Sequence, residues 1–118
     1  MTPLANVTLH PEGAVLVARV EGEVDLSNVE SVRATLVGAV SHDTELLVLD
    51  LTSTTYLDST GVRLLFELAA RLQNRRQQLR LVVADGALVA RVVELTQLDQ
   101  RVPVDRSVAD ALAAEGLE

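Results

Sequence analysis

The residues best suited to chemistry lie together at Asp58-Ser59-Thr60-Gly61. An apolar run, Leu46 to Leu51, leads into a polar stretch, Thr52 to Thr55, and a helical periodicity follows over Val62 to Asn74. This order predicts a serine hydroxyl at the N-terminus of a helix. A hydroxyl there can cap the helix, attack as a nucleophile, or accept a phosphoryl group. Capping by Asp58 or Ser59 is ordinary helix chemistry, worth about 1 kcal/mol. It does not account for two hydroxyls followed by a glycine. Glycine in a first helical turn costs up to about 1 kcal/mol relative to alanine. Gly61 therefore suggests that another molecule approaches the backbone closely.

Nucleophilic attack needs a base. A nucleophile elbow places glycine two residues to either side of its serine, and here Leu57 and Gly61 hold those places. His10 lies beside the first turn and His42 in the loop Ser41-His42-Asp43. Local spacing places neither as a general base. There is no G-x-G-x-x-G and no Walker lysine, since all 10 basic residues are arginine. Asp25, Asp50 and Asp58 could in principle bind a metal, but scattered carboxylates usually serve as caps or solvated charges. The reading is a protein with no catalytic residue, no metal and no cofactor, and not an enzyme.

The elements that position this loop follow from periodicity. Val7 to His10 and Ala14 to Val20 read as strands around the turn Pro11-Glu12-Gly13. Ser27 to Glu30 fits a capping box, with Ser27 at N-cap and Glu30 at N3. Val29, Val32, Leu36, Ala39 and Val40 recur behind it at helical spacing. Leu46 to Leu51 suits a central strand covered on both faces. In the next helix Val62, Leu65, Phe66, Ala69 and Leu72 share one face. Arg63, Glu67 and Arg71 share another, spaced for i, i+4 ion pairs. Leu64 falls among these charges, one turn from Ser59, where it could meet a partner. Leu79 to Ala84 is a further strand, and Asp85 can cap a helix turning Leu88, Val89, Val92 and Leu95 inward. Val102 and Val104 mark an edge strand around Pro103, and Ser107 can cap a last helix, Val108 to Ala114. Strands alternating with helices imply an α/β fold: one domain over residues 1–118, a small mixed sheet of four to five strands, and four helices.

Composition narrows the function. A chain of 118 residues suffices for one core without staples. Hydrophobic residues make up 48% but aromatics only 2%, so Leu, Val and Ala must fill that core. Absence of cysteine removes disulfides, thiolate metal sites and cysteine catalysis together. A net charge of −7 with so few aromatics argues against nucleic acid. No apolar run is long enough for a membrane span. The N-terminal Met1-Thr2-Pro3-Leu4 does not read as a signal peptide, so a cytoplasmic location is expected.

Three segments in register carry a resemblance. They are Gly22-Glu23-Val24-Asp25, then Val48 to Leu51 with Tyr56 to Val62, and Val92 to Asp99. In order and spacing the chain resembles STAS domains over almost its whole length, in particular the bacterial anti-sigma factor antagonists. The resemblance implies that Ser59 is phosphorylated, with Thr60 as the alternative acceptor. It implies partner contacts around Asp25, Ser27, Asp58, Ser59, Thr60 and Gly61, to which Arg63, Leu64 and Glu67 on the helix are added. The implied partners are a GHKL-type anti-sigma factor serine kinase and a PP2C-type serine phosphatase, acting on a monomer or weak dimer. Unmodified protein would capture the anti-sigma factor and free a sigma factor; phosphorylation would release the partner. The alternative is a non-phosphorylated STAS interaction module of a lipid-transport or stress-signalling complex. Gln97 stands where the family pattern has glycine, which bears on a turn conformation.

Overall fold

In the computed structural model, residues 5–117 are described; the Met1–Leu4 segment weighed as a leader lies outside them. The chain begins with a hairpin of β1 (Ala5–Glu12) and β2 (Val15–Val24), paired antiparallel with Glu12 opposite Val15. Gly13, at φ +61°, supplies the left-handed conformation that so tight a turn requires. Both strands outrun the sequence expectation. β2 extends to Val24 because its far half has a partner of its own, described below.

β3 (Leu46–Asp50) runs parallel to both β2 and β5 (Gln78–Val82). Its alternation divides the core. Leu47 and Leu49 join the large cluster that includes Leu36, Leu65, Leu68, Leu72 and Val93. Leu46 and Val48 join Val82 and Ala111 in a smaller cluster on the opposite side. Helices α1 (Val29–Ala39), α2 (Ser59–Asn74) and α3 (Leu88–Leu95) contribute to the first, and α4 (Val108–Ala114) to the second. A continuous apolar strand is what two covered faces demand.

The sheet has six strands, ordered β1-β2-β3-β5-β6, with β4 (Thr54–Leu57) paired parallel to β2 and β6 (Val104–Asp105) at the far edge. The expected four to five strands omit β4, because Thr52 to Thr55 reads as a polar connection. Thr54 is buried, and its hydroxyl donates to the Val20 carbonyl at 2.7 Å. A β-branched residue whose hydroxyl is satisfied inside the sheet is a good strand residue.

Three capping and facing expectations are corrected. Asn28, not Ser27, is the α1 N-cap, and no side chain bonds the helix there; the Ser27 hydroxyl turns back to Asp25. Ala87, not Asp85, precedes α3, and Asp85 instead pairs with Arg106 at 2.6 Å. On α3 the buried residues are Val89, Ala90 and Val93, while Leu88 and Leu95 are exposed. That helix is two turns long and apolar nearly all round, so periodicity could not fix its phase. Ser107 does cap α4, accepting from the Asp110 N–H at 3.0 Å. Gln97 adopts φ +62°, keeping the left-handed turn without glycine. That conformation costs a non-glycine residue about 1–2 kcal/mol.

The last strand and helix are fastened by Arg80 on β5. Its guanidinium donates to Asp105 at 2.8 and 3.2 Å and to Glu115 at 2.7 Å. The Arg80 side chain is 14% exposed. Replacing one partner of such a largely buried cluster leaves the others without counter-charge. Arg80→Met is expected to lower unfolding free energy by about 2–3 kcal/mol, measured by urea denaturation; an unchanged midpoint would show the cluster to be energetically neutral.

Candidate functional site

β2 and β4 end side by side, with Val24 opposite Leu57. The backbone N–H of Asp58 then donates to the Val24 carbonyl at 3.2 Å, so the start of α2 is hung from the end of β2. Asp58 is the N-cap. Its Oδ1 accepts from the N–H groups of Thr60 at 2.9 Å and Gly61 at 3.0 Å, and from the Thr60 hydroxyl. Its Oδ2 accepts from the Leu26 N–H at 3.1 Å. One carboxylate therefore closes the helix and ties it to the turn after β2. The two candidates for the cap are resolved in favour of Asp58, and α2 starts at Ser59, three residues before the sequence expectation.

These bonds distinguish the two hydroxyls. Thr60 is half-buried and its hydroxyl is taken by Asp58. Ser59 is exposed, and its hydroxyl makes no hydrogen bond among the described residues. Next to its neighbour Asp58 lies a shallow cleft lined by Asp25, Leu26, Ser27, Tyr56 and Asp58. Asp25 folds its own turn, accepting from the Ser27 N–H at 2.9 Å and from the Ser27 hydroxyl. Asp25, Ser27, Asp58, Ser59 and Thr60 are thus drawn to one end of the domain.

Three other residues behave differently from expectation. Leu64 is 2% exposed and packs in the core, so it is not a free surface contact. The inward stripe of α2 runs through Gly61, Leu64, Leu65, Leu68 and Leu72, because α1 covers the side that looked polar. Gly61 is buried as well. A Cβ there would lie 3.0 Å from Leu57 Cδ2 and 3.3 Å from both Val24 Cγ1 and the Val24 carbonyl oxygen. The close approach that requires glycine comes from the chain's own β2 and β4, not from another molecule. Glu67 does not pair along α2. It accepts from Arg33 of α1, with the Arg33 Nη2 at 3.0 Å, and Arg33 also pairs with Glu30. Arg63 is exposed and makes no ion pair among the described residues.

Sequence reasoning missed Leu26 and Tyr56. They are 75% and 42% exposed and line the cleft. Leu26 stands outside any periodic run, so no pattern could flag it, and Tyr56 points outward from a strand that read as a loop. The histidines lie at the other end of the molecule. His10 faces Val17 on β2, seven residues and about 23 Å of strand from Val24. His42 contacts Arg75 beyond the C-terminus of α2, about 24 Å of helix from Ser59. Neither histidine is placed to act as a general base on Ser59. Among the described residues, no three His, Asp or Glu side chains come together as a metal site, and no helix is long and apolar enough to cross a membrane. Asp50 is engaged locally, by the Thr52 N–H and hydroxyl at 2.9 and 2.7 Å.

Comparison with known proteins extends this description. The STAS domain family model matches residues 6–111. The anti-sigma-F factor antagonist RsfB of Mycobacterium tuberculosis is 29% identical over 108 residues, covering 91% of this chain and 86% of that protein. An anti-sigma factor antagonist from Mycobacterium paratuberculosis superposes with a TM-score of 0.83 at 25% identity, covering 93% of this chain and 92% of that one. SpoIIAA in its unphosphorylated form superposes with a TM-score of 0.74 at 19% identity, covering 96% of this chain and 99% of that one. The phosphorylated form of this Bacillus cell fate determinant gives 0.62 at 21%, covering 92% and 98%. The SpoIIAA matches show a shared fold.

Two outcomes test the geometry of the site. Gly61→Ala gains helix propensity but must push a methyl group against Leu57 and the Val24 backbone. A net loss of about 1–2 kcal/mol is expected, read from urea unfolding; a stabilised variant would mean that the contact yields. The second concerns pH. The Thr60 hydroxyl, followed by the N–H groups of Gly61, Leu26 and Thr60, holds the Asp58 carboxyl below the ordinary carboxylate range against the opposing effect of desolvation. A depressed folded pKa contributes stability above the unfolded value, about 3.9, that is lost as pH falls through the folded one. Asp58→Asn is therefore expected to melt at a lower temperature than the wild type at pH ~7, with the gap narrowing below pH ~4. A gap independent of pH would contradict the charged cap.

Proposed function

The chain belongs to the STAS family, and on that premise we propose that it is an anti-sigma factor antagonist switched by phosphorylation of Ser59. In its unmodified form it captures an anti-sigma factor that is also a GHKL-type serine kinase, and a sigma factor is freed in the cytoplasm. Phosphorylation releases that partner, and a PP2C-type phosphatase resets the protein. The observation that carries this reading is the contrast between the two hydroxyls. Ser59 is exposed and unbonded at the head of α2, whereas that of Thr60 is committed to Asp58. A kinase needs an oxygen that can enter its active site and attack the terminal phosphoryl group without first breaking the cap. Ser59 meets that need.

The surroundings support an exchange of partners without a change of fold. Leu26 and Tyr56 offer apolar anchors beside the acceptor, and exposed apolar side chains of this kind are what a partner can bury. Phosphate adds about −1.5 to −2 charge at neutral pH. A negative group at a helix N-terminus is favourable to the helix itself, so α2 stays folded. The added charge joins the carboxylates of Asp25 and Asp58 and is presented to the partner. A loss of only about 3–4 kcal/mol at the interface weakens binding more than a hundredfold.

Incubation with an anti-sigma factor kinase and ATP, followed by mass mapping, tests the acceptor. Ser59→Ala is expected to abolish labelling and Thr60→Val to retain it. Phosphate on Thr60 in the wild type would reverse the assignment. Partner binding with no phosphate uptake would instead favour a non-phosphorylated interaction module.

A further inference from the structure

We infer that Arg63 is the intramolecular partner of a phosphate on Ser59, so that modification withdraws this guanidinium from the surface offered to an anti-sigma factor. The inference rests on the phosphoserine reading above and concerns what the added group does within its own domain. Ser59 is the first residue of α2, and Arg63 follows at i+4 on the same helical face. Both are exposed. An arginine one turn along can reach a phosphoserine and offer its planar fork to two phosphate oxygens, a geometry that lysine lacks.

The availability of Arg63 is set by the packing of α1 against α2. Glu67, one further turn along, would be its natural i, i+4 partner. Instead it turns to Arg33 of the neighbouring helix, whose Nε and Nη2 reach its Oε2 at 3.1 and 3.0 Å, and Glu30 pairs with the same arginine. The remaining carboxylates of the site are also occupied. Asp58 accepts from Thr60, Gly61 and Leu26, and Asp25 accepts from Ser27. Arg63 is left as a cation with no ion pair among the described residues. In the unmodified protein it is open to a carboxylate of the partner. After phosphorylation the nearest strong anion is its own, so one covalent change adds negative charge and removes a positive contact.

The experiment uses the full chain with phosphoserine encoded at position 59 during translation, which needs no kinase. The second ionisation of the phosphate, ordinarily near pH ~6, is followed by phosphorus NMR. Relative to the phosphorylated wild type, Arg63→Gln is expected to raise that pKa by about 0.15–0.4 unit, as an i, i+4 ion pair of ordinary strength implies. Arg63→Lys, which keeps the charge without the fork, should fall between them. The difference should shrink in ~1 M salt, where exposed pairs are screened. Identical titration of the wild type and Arg63→Gln would overturn the inference. Because the phosphoserine is encoded, that result would leave labelling of Ser59 by a kinase untouched. Failure of a kinase to label Ser59 would equally leave this titration readable.

Discussion

The carboxylate of Asp58 is the constraint on which the site depends. It satisfies the first N–H groups of α2, takes the Thr60 hydroxyl, and reaches across to the Leu26 N–H. Each of those bonds fixes a different part of the surface. The helix is closed, the second hydroxyl is consumed, and the turn carrying Asp25 and Ser27 is held against the helix start. Ser59 is left outside the arrangement while remaining next to it. A hydroxyl with that placement is reachable without opening the structure that presents it.

The scaffold beneath holds this arrangement in place through several contacts. The cleft lies where β2 and β4 end, the end of the strands at which open α/β sheets usually place their sites. Gly61 lets the start of α2 sit close against Val24 and Leu57, where a Cβ would meet them at 3.0–3.3 Å. The ion pair of Arg33 with Glu67 joins α1 to α2 beside it. Exposed pairs of this sort add little stability. The consequence here is one of allocation, since Glu67 is removed from Arg63. On the far side of the sheet Arg80 gathers Asp105 and Glu115 and holds the last strand and helix in place, well away from the cleft.

What the site offers is its surface. Leu26 and Tyr56 supply apolar area, and the carboxylates supply a negative field that a phosphate would deepen. In an acidic protein of net charge −7, the few exposed cations near Ser59 gain weight, because each is a place where a carboxylate of another molecule can be met. On the proposed reading, a switch assembled from these parts would exchange partners through charge and shape, with free-energy demands small compared with those of refolding.

Much of this was legible in the sequence, and for local reasons. The hairpin, the continuous central strand, the Ser107 cap and the loop opening α2 are all specified by residues within a few positions of one another, where turn chemistry and periodicity act. The loop Asp58 to Gly61, with its hydroxyls and the carboxylate before them, could be read in the same way. Phase and partnership could not. Leu64 looked solvent-facing until α1 covered it, and Gly61 looked open to another molecule until β2 and β4 filled the space. Glu67 looked like a partner for Arg63 until Arg33 took it, and Leu26 had no pattern at all. Each of these depends on at least one element distant in the chain, as Leu26 depends on Asp58, Glu67 on Arg33 and Gly61 on Val24. A linear pattern says which residues share a face of a helix or strand. What that face meets, and so which side chains remain free for chemistry, is decided only when the elements pack.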